Sequence, residues 1–267
     1  MIVSYSVAIA FDILMPVALV AWLRRRSGVG WCYLGAGALV FLVFQLLTRI
    51  PAMQLGQYLL ADDLRSSQGL TWLWLSAAAL SAGLFEEVGR YLGWRVLLRR
   101  KTRSFDGALM YGAGHGGLES ALLVAGMAAM GLVNALVLPG MDAASLGLSG
   151  QHAEQLREAQ RQIAEMPGWM PLIGAFERVP AMLIHLSCSL IVLQCFTRGS
   201  LRWLWAAIGY HALVDLVGAG GAKALTESFG QTGGMLLVEG LVAILGLTSL
   251  AIILRLRPDR TCSATPR

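Results

Sequence analysis

Long apolar stretches separated by short polar loops dominate the pattern of hydrophobic and polar positions along this chain. Seven of these stretches are long enough to cross about 30 Å of hydrocarbon as helices that rise about 1.5 Å per residue. They lie at about residues 2–23, 30–48, 69–98, 107–137, 173–196, 201–220 and 233–256. The pattern predicts an all-α fold, a polytopic transmembrane helical bundle of about seven membrane-spanning helices.

The composition agrees with a membrane protein. Hydrophobic residues make up 56% of the 267 residues and charged residues only 14%, whereas soluble domains carry about 25% charged residues. The mean hydropathy is +0.63. A net charge of +5 would suggest nucleic acid only if the basic residues formed a patch on a soluble face. No nucleic-acid partner is therefore expected.

The basic residues sort by alternate loops. Thirteen of the 21 Lys and Arg follow the first, third, fifth and seventh stretches, and six lie on the opposite side. Because cytoplasmic loops are enriched in Lys and Arg, this bias predicts an outside N-terminus and a cytoplasmic C-terminus, in a bacterial cytoplasmic membrane. The cluster "RRR" (24–26) follows the first apolar stretch, so that stretch is expected to remain as an anchor.

A single integral-membrane domain is predicted over residues 1–267, with core helices at about 69–137 and 173–220. The loop 138–172 between them is expected to be extracytoplasmic. Its apolar residues recur at three- and four-residue steps: Ala153, Leu156, Ala159, Ile163 and Met166. This spacing predicts an amphipathic helix ending before Pro167 that covers the bundle or the membrane surface, or that gates a substrate.

Charged residues interrupt the third stretch. The segment "GLFEEVGRYLGW" (83–94) places Glu86, Glu87 and Arg90 inside an apolar helix, although a charge at bilayer depth costs roughly 2.5–3.5 kcal/mol even on insertion scales. Further titratable residues lie in three other stretches: His115, Glu119, His185, His211 and Asp215. Such residues face the interior of a bundle, so we expect them to converge.

Spacing and depth support this convergence. Glu86 with Arg90, His115 with Glu119, and His211 with Asp215 are four residues apart, so each pair is expected on one helix face. The depth of each residue can be counted from the cytoplasmic basic loops at about 1.5 Å per residue. Glu86, His115, His185 and His211 all lie about 13–20 Å deep, in one band near mid-membrane.

The residue types in this band suit hydrolysis. Histidines and carboxylates are common zinc ligands, and the band contains three histidines: His115, His185 and His211. Bound Zn²⁺ lowers the pKa of a water molecule to about 7. A glutamate and a histidine can also activate water without a metal. The four cysteines form no C-x-x-C pair. We interpret them as small core residues and not as a metal framework.

Three short motifs resemble a known superfamily. The stretches "EEVGR" (86–90), "YGAGH" (111–115) and "HALVD" (211–215) resemble the CPBP superfamily, which includes the type II CAAX prenyl endopeptidases and bacteriocin-processing and immunity proteins. The form "GHGGLE" (114–119) with an additional His185 is most similar to the YhfC family of intramembrane metalloproteases. The resemblance covers about half of the chain.

The resemblance implies roles for several residues. Glu86 would be the water-activating base with Glu87 beside it, and His115 would be its paired histidine. His211 would help to activate water or bind a metal, and Arg90 would hold the glutamates. Asp215 stands where the prenyl endopeptidases carry Asn. It would either stabilise the oxyanion or orient His211. Glu119 would have a supporting role.

The leading hypothesis is an integral-membrane endopeptidase that cleaves a peptide bond near a membrane-embedded or lipidated segment. Its expected partners are a membrane-embedded or membrane-proximal peptide or protein and the lipid bilayer. A non-catalytic membrane scaffold or bacteriocin-immunity-type protein is an alternative that would keep the polar cluster for packing. A proton-coupled transporter is a third, because buried His, Glu and Asp also build proton relays.

Overall fold

A computed structural model describes residues 1–258 of the chain, which are helical apart from short loops. Arg260, Cys262 and Arg267, which entered the charge and cysteine predictions, lie outside the described residues. The described α-helices are α1 (Ile2–Ser27), α2 (Trp31–Phe41), α3 (Ile50–Leu59), α4 (Ala61–Ser66), α5 (Gln68–Leu92), α6 (Phe105–Leu118), α7 (Ala125–Val137), α8 (Gly150–Glu165), α9 (Pro171–Thr197), α10 (Arg202–Asp215) and α11 (Gly221–Arg255).

Four π-helical segments continue or join these helices. They are Leu42–Arg49, Gly93–Leu97, Glu119–Val124 and Leu216–Gly220. In a π segment the N–H bonds to the carbonyl five residues earlier, so the faces of the helix shift relative to an α-helix. Such segments occur frequently at functional sites, and here Glu119 begins one of them.

Five of the described helical segments are long and apolar enough to cross a membrane: Ile2–Ser27, Trp31–Leu59, Phe105–Gly140, Pro171–Thr197 and Arg202–Arg255. The predicted all-α, multi-pass architecture is confirmed. Two predicted spans share the last segment, which is interrupted at Gly230 with φ 74° and ψ 168°. The predicted third span corresponds to α5 and is less apolar than these five. The side on which each terminus lies stays a prediction.

The second span is longer than predicted. The prediction ended it near residue 48, but helical structure continues through α3 to Leu59, and α4 follows. Pro51 follows the π segment Leu42–Arg49, and the chain stays helical across it. The predicted amphipathic helix is confirmed as α8, which ends before Pro167.

Glycines bring the central helices close together. α6 packs against α2 and α9, and α5 packs against α10. A Cβ atom at Gly114 of α6 would overlap the backbone of Leu34 in α2, and one at Gly116 would lie 2.6 Å from the His185 ring. Only a residue without a side chain permits this approach. The glycines around the α6 histidine therefore position α2 and α9 beside it.

Candidate functional site

Four helices bring the charged residues of the predicted band into one buried cluster. The members of this buried cluster are Glu86, Glu87 and Arg90 on α5, His115 on α6, His185 on α9 and His211 on α10. Each is at most 5% exposed. Since α5 places its three residues within two turns, one helix supplies all the formal charge of the cluster, and the other three supply its imidazoles.

The carboxylate of Glu86 contacts three of these side chains. Its Oε2 lies 2.9 Å from Nε2 of His115, 3.5 Å from Nη2 of Arg90 and 3.7 Å from Nε2 of His211. Its other oxygen accepts a hydrogen bond from Gln45 on the second span. The predicted pairing of Glu86 with both His115 and Arg90 is thus present in the structure.

The second glutamate has a different environment. Oε1 of Glu87 accepts a hydrogen bond from Arg90 and lies 2.6 Å from Nδ1 of His211. Because an ionised carboxylate only accepts hydrogen bonds, Nδ1 of His211 carries a proton in this contact. Nε2 of His211 then points toward Glu86 and toward Asp215, whose Oδ2 is 3.9 Å away. Glu87 therefore fixes the ring orientation of His211.

His185 is held from both sides of its ring. Nη2 of Arg90 lies 2.7 Å from its Nδ1, and Oε2 of Glu119 lies 2.8 Å from its Nε2. A guanidinium only donates hydrogen bonds, so Nδ1 is the acceptor and Nε2 carries the proton that Glu119 accepts. The histidine is neutral in this arrangement, and both of its nitrogens are used.

Glu119 does not form the predicted pair with His115. It lies at the start of a π segment, and its carboxylate instead contacts His185 and, at 3.0 Å, Nη1 of Arg178. Arg178 lies near the start of α9. The structure turns its guanidinium inward, where the residue is 8% exposed, and Glu177 contacts it at 2.8 Å.

A cavity of about 470 Å³ opens beside the buried cluster. Glu86, His185 and His211 form part of its wall, together with Glu119 and Asp215. Its apolar wall includes Leu123, Ile184, Val214, Val238 and Val242. A cavity with an apolar wall and a few convergent polar groups is the usual form of a small-molecule or peptide site.

Two sets of side chains could hold a metal ion. Glu86, His115 and His185 form the first donor group, and Glu87, Cys188 and His211 form the second. Within each group the donor atoms lie within 4.8 Å of one another, and all six residues are buried. The three histidines predicted as a single ligand set are thus divided between the groups. Both carry nitrogen and oxygen or sulfur donors of the kind that zinc uses, so they fit this metal.

A family model described as YhfC intramembrane metalloprotease matches residues 11–242. This chain belongs to the YhfC family. It is 32% identical over 216 residues to a Bacillus subtilis (strain 168) protein named "Uncharacterized membrane protein YhfC", a match that covers 80% of this chain and 81% of that protein. No solved structure matches the chain. The resemblance to the YhfC family inferred from the motifs is confirmed, and the protein is an integral membrane protein.

Four side chains at the site in this YhfC chain were not predicted from the sequence. Gln45 contacts Glu86, and Arg49 donates to Gln45 at 3.1 Å. Gln45 could have been found as a polar residue inside an otherwise apolar stretch. Cys188 follows His185 by three residues, which places both on one face of α9. Arg178 gave a weaker signal, since a charge near a helix end usually reaches the interface.

Proposed function

We propose that this chain is an integral-membrane endopeptidase that hydrolyses a peptide bond at the Glu86–His115 pair. The observation that carries the proposal is the 2.9 Å contact between a buried carboxylate and an imidazole in which the carboxylate belongs to the wall of a 470 Å³ cavity. The family description, intramembrane metalloprotease, supports the same class of reaction.

Glu86 is the general base of the proposed reaction. It accepts a proton from a water molecule as the water oxygen bonds to the carbonyl carbon of the substrate. It then delivers the proton to the amide nitrogen as the C–N bond breaks. His115 orients the carboxylate through Oε2, and Gln45 does so through Oε1. A positioned acid–base group of this kind contributes about 10²–10⁴-fold to a rate.

The remaining members of the buried cluster position this pair. Glu87 holds Nδ1 of His211, so that Nε2 of His211 lies beside Glu86 and can contact the water or the substrate carbonyl. Arg90 contacts Glu86, Glu87 and His185 and compensates the carboxylate charge. Asp215 has no close ion pair with His211, at 3.9 Å. Its proposed role is to contact the substrate or to orient His211.

A zinc ion is the proposed cofactor. When bound, it would polarise the substrate carbonyl and lower the pKa of a water molecule. The residues that would hold it belong to the two donor groups. The proposed substrate is a membrane-embedded or membrane-proximal peptide segment, because the cavity lies among apolar helices and is partly lined by apolar side chains.

The test is cleavage of membrane-inserted model peptides by purified protein in liposomes, read by mass spectrometry. Glu86→Gln and His115→Ala are expected to lower the cleavage rate by about 10²-fold or more. Glu154→Gln, on the exposed surface of α8, is the matched control and should cleave normally. Unchanged rates in both site variants would contradict the proposal. Absence of cleavage by the wild type, with altered stability in the variants, would favour the scaffold hypothesis instead.

A further inference from the structure

The second donor group contains a residue that the proposed hydrolysis does not use. Cys188 lies on α9, is fully buried and is a free thiol. Its Sγ lies within 4.8 Å of a carboxylate oxygen of Glu87 and a nitrogen of His211. Metal–ligand bonds of about 2.0–2.3 Å place donors in a tetrahedral site about 3.3–3.8 Å apart. A small inward movement of these side chains would therefore complete a site.

Both groups are partly hydrogen-bonded. In the second group, Oε1 of Glu87 contacts Arg90 and Nδ1 of His211. In the first group, Glu86 and His115 are bonded to each other and both nitrogens of His185 have partners at 2.7 and 2.8 Å, while Nδ1 of His115 has none among the described residues. A metal in the first group would take Glu86, the proposed general base, as a ligand. In the second group, Oε2 of Glu87 is buried and has no hydrogen-bond partner among the described residues. Such an atom carries a desolvation cost that a ligand would remove.

We propose that Glu87, Cys188 and His211 form a binding site for one zinc-class divalent cation. The free Oε2 of Glu87, the Cys188 thiolate and one His211 nitrogen are its protein ligands. The Glu86–His115 hydrogen bond stays intact beside this site. The inference rests on the proposed function only in assigning ligands to its metal, because cation binding itself requires no peptidase activity.

The test uses full-length protein purified in detergent and loaded with Zn²⁺ or Co²⁺ alone. Wild type is expected to bind one equivalent of zinc by elemental analysis, and the Co²⁺ form should show a thiolate-to-cobalt charge-transfer band in the near ultraviolet. Cys188→Ser should lose this band and bind zinc more than about 10-fold more weakly. Cys195→Ser, a buried α9 cysteine outside both donor groups, should retain the band and the affinity.

A measurement on wild type alone guards against a folding defect in the Cys188→Ser variant. Bound Zn²⁺ should slow alkylation of Cys188 in detergent, while alkylation of the exposed Cys32 should not change. A charge-transfer band that persists without Cys188, a metal-loaded wild type that lacks the band, or no metal binding would each overturn the assignment. Metal binding without cleavage of any peptide would instead contradict the proposed function and leave this inference standing.

Discussion

Arg90 is the only cation in the buried cluster, and its replacement by methionine should strongly destabilise the protein. The guanidinium donates to Glu87, lies 3.5 Å from Glu86 and 2.7 Å from His185, and is fully buried. Removal of one partner from a buried ion pair costs about 3–5 kcal/mol, because the other charge stays behind without compensation. Methionine is long and apolar, so it keeps most of the packing and isolates the loss of charge.

The assay is thermal unfolding of detergent-purified protein, followed by tryptophan fluorescence. At about 2–4 °C per kcal/mol for a chain of comparable size, a loss of 3–5 kcal/mol lowers the Tm by roughly 6–20 °C. Arg95→Met is the matched control, since Arg95 follows on the same helical segment and is exposed. Its Tm should stay within about 2 °C of wild type, as is usual for an exposed substitution.

A second substitution tests the cause of the effect. Glu87→Gln removes a negative charge, so the double variant Arg90→Met/Glu87→Gln should be more stable than Arg90→Met alone. A Tm for Arg90→Met within about 2 °C of wild type would refute the reasoning. Additive losses in the double variant would refute it as well, because they would show that the two charges do not compensate each other.

Two further predictions use the same assay. Gly114→Ala should lower the free energy of unfolding by about 1–3 kcal/mol, because its Cβ would overlap the backbone of α2. At Gly35 a Cβ would meet no atom of the described chain outside its own helix within 4 Å, so Gly35→Ala should leave the free energy of unfolding unchanged. Glu119→Gln should lower the free energy of unfolding by about 1–3 kcal/mol, because it weakens two buried contacts. Glu177 contacts the same arginine but is more exposed, so Glu177→Gln should lower the free energy of unfolding by less than about 1 kcal/mol. Equal effects within either pair would contradict the structure.

The membrane fold was predictable because hydrocarbon leaves few options for the backbone. With no water to satisfy N–H and carbonyl groups, long apolar stretches must be helical. The convergence of Glu86, His115, His185 and His211 followed from their similar depth, since charged groups avoid lipid. Both constraints, backbone hydrogen bonding in hydrocarbon and the exclusion of charge from lipid, act on each apolar stretch separately. They can therefore be applied to a single sequence.

The pairing of side chains was less predictable. His115 and Glu119 have the spacing of an ion pair and remain one α-helical turn apart, but His185 and Arg178 of α9 take the Glu119 carboxylate. Arg178 lies near a helix end, yet its guanidinium turns inward to Glu119. The division of the three histidines between two donor groups depends on how the helices rotate about their axes. Such rotation is set by packing between elements and leaves no short-range pattern in the sequence.

The π segments have a consequence for comparing YhfC sequences. Each α-helical residue advances about 100° around the axis, so one extra residue accommodated within a turn redirects everything that follows by about that angle. Helix-wheel assignments that run across Leu42–Arg49, Glu119–Val124 or Leu216–Gly220 will therefore assign lipid-facing and interior positions incorrectly. Assignments in relatives of this chain should restart after each of these segments, and a one-residue gap there marks a changed helix face instead of a lost residue.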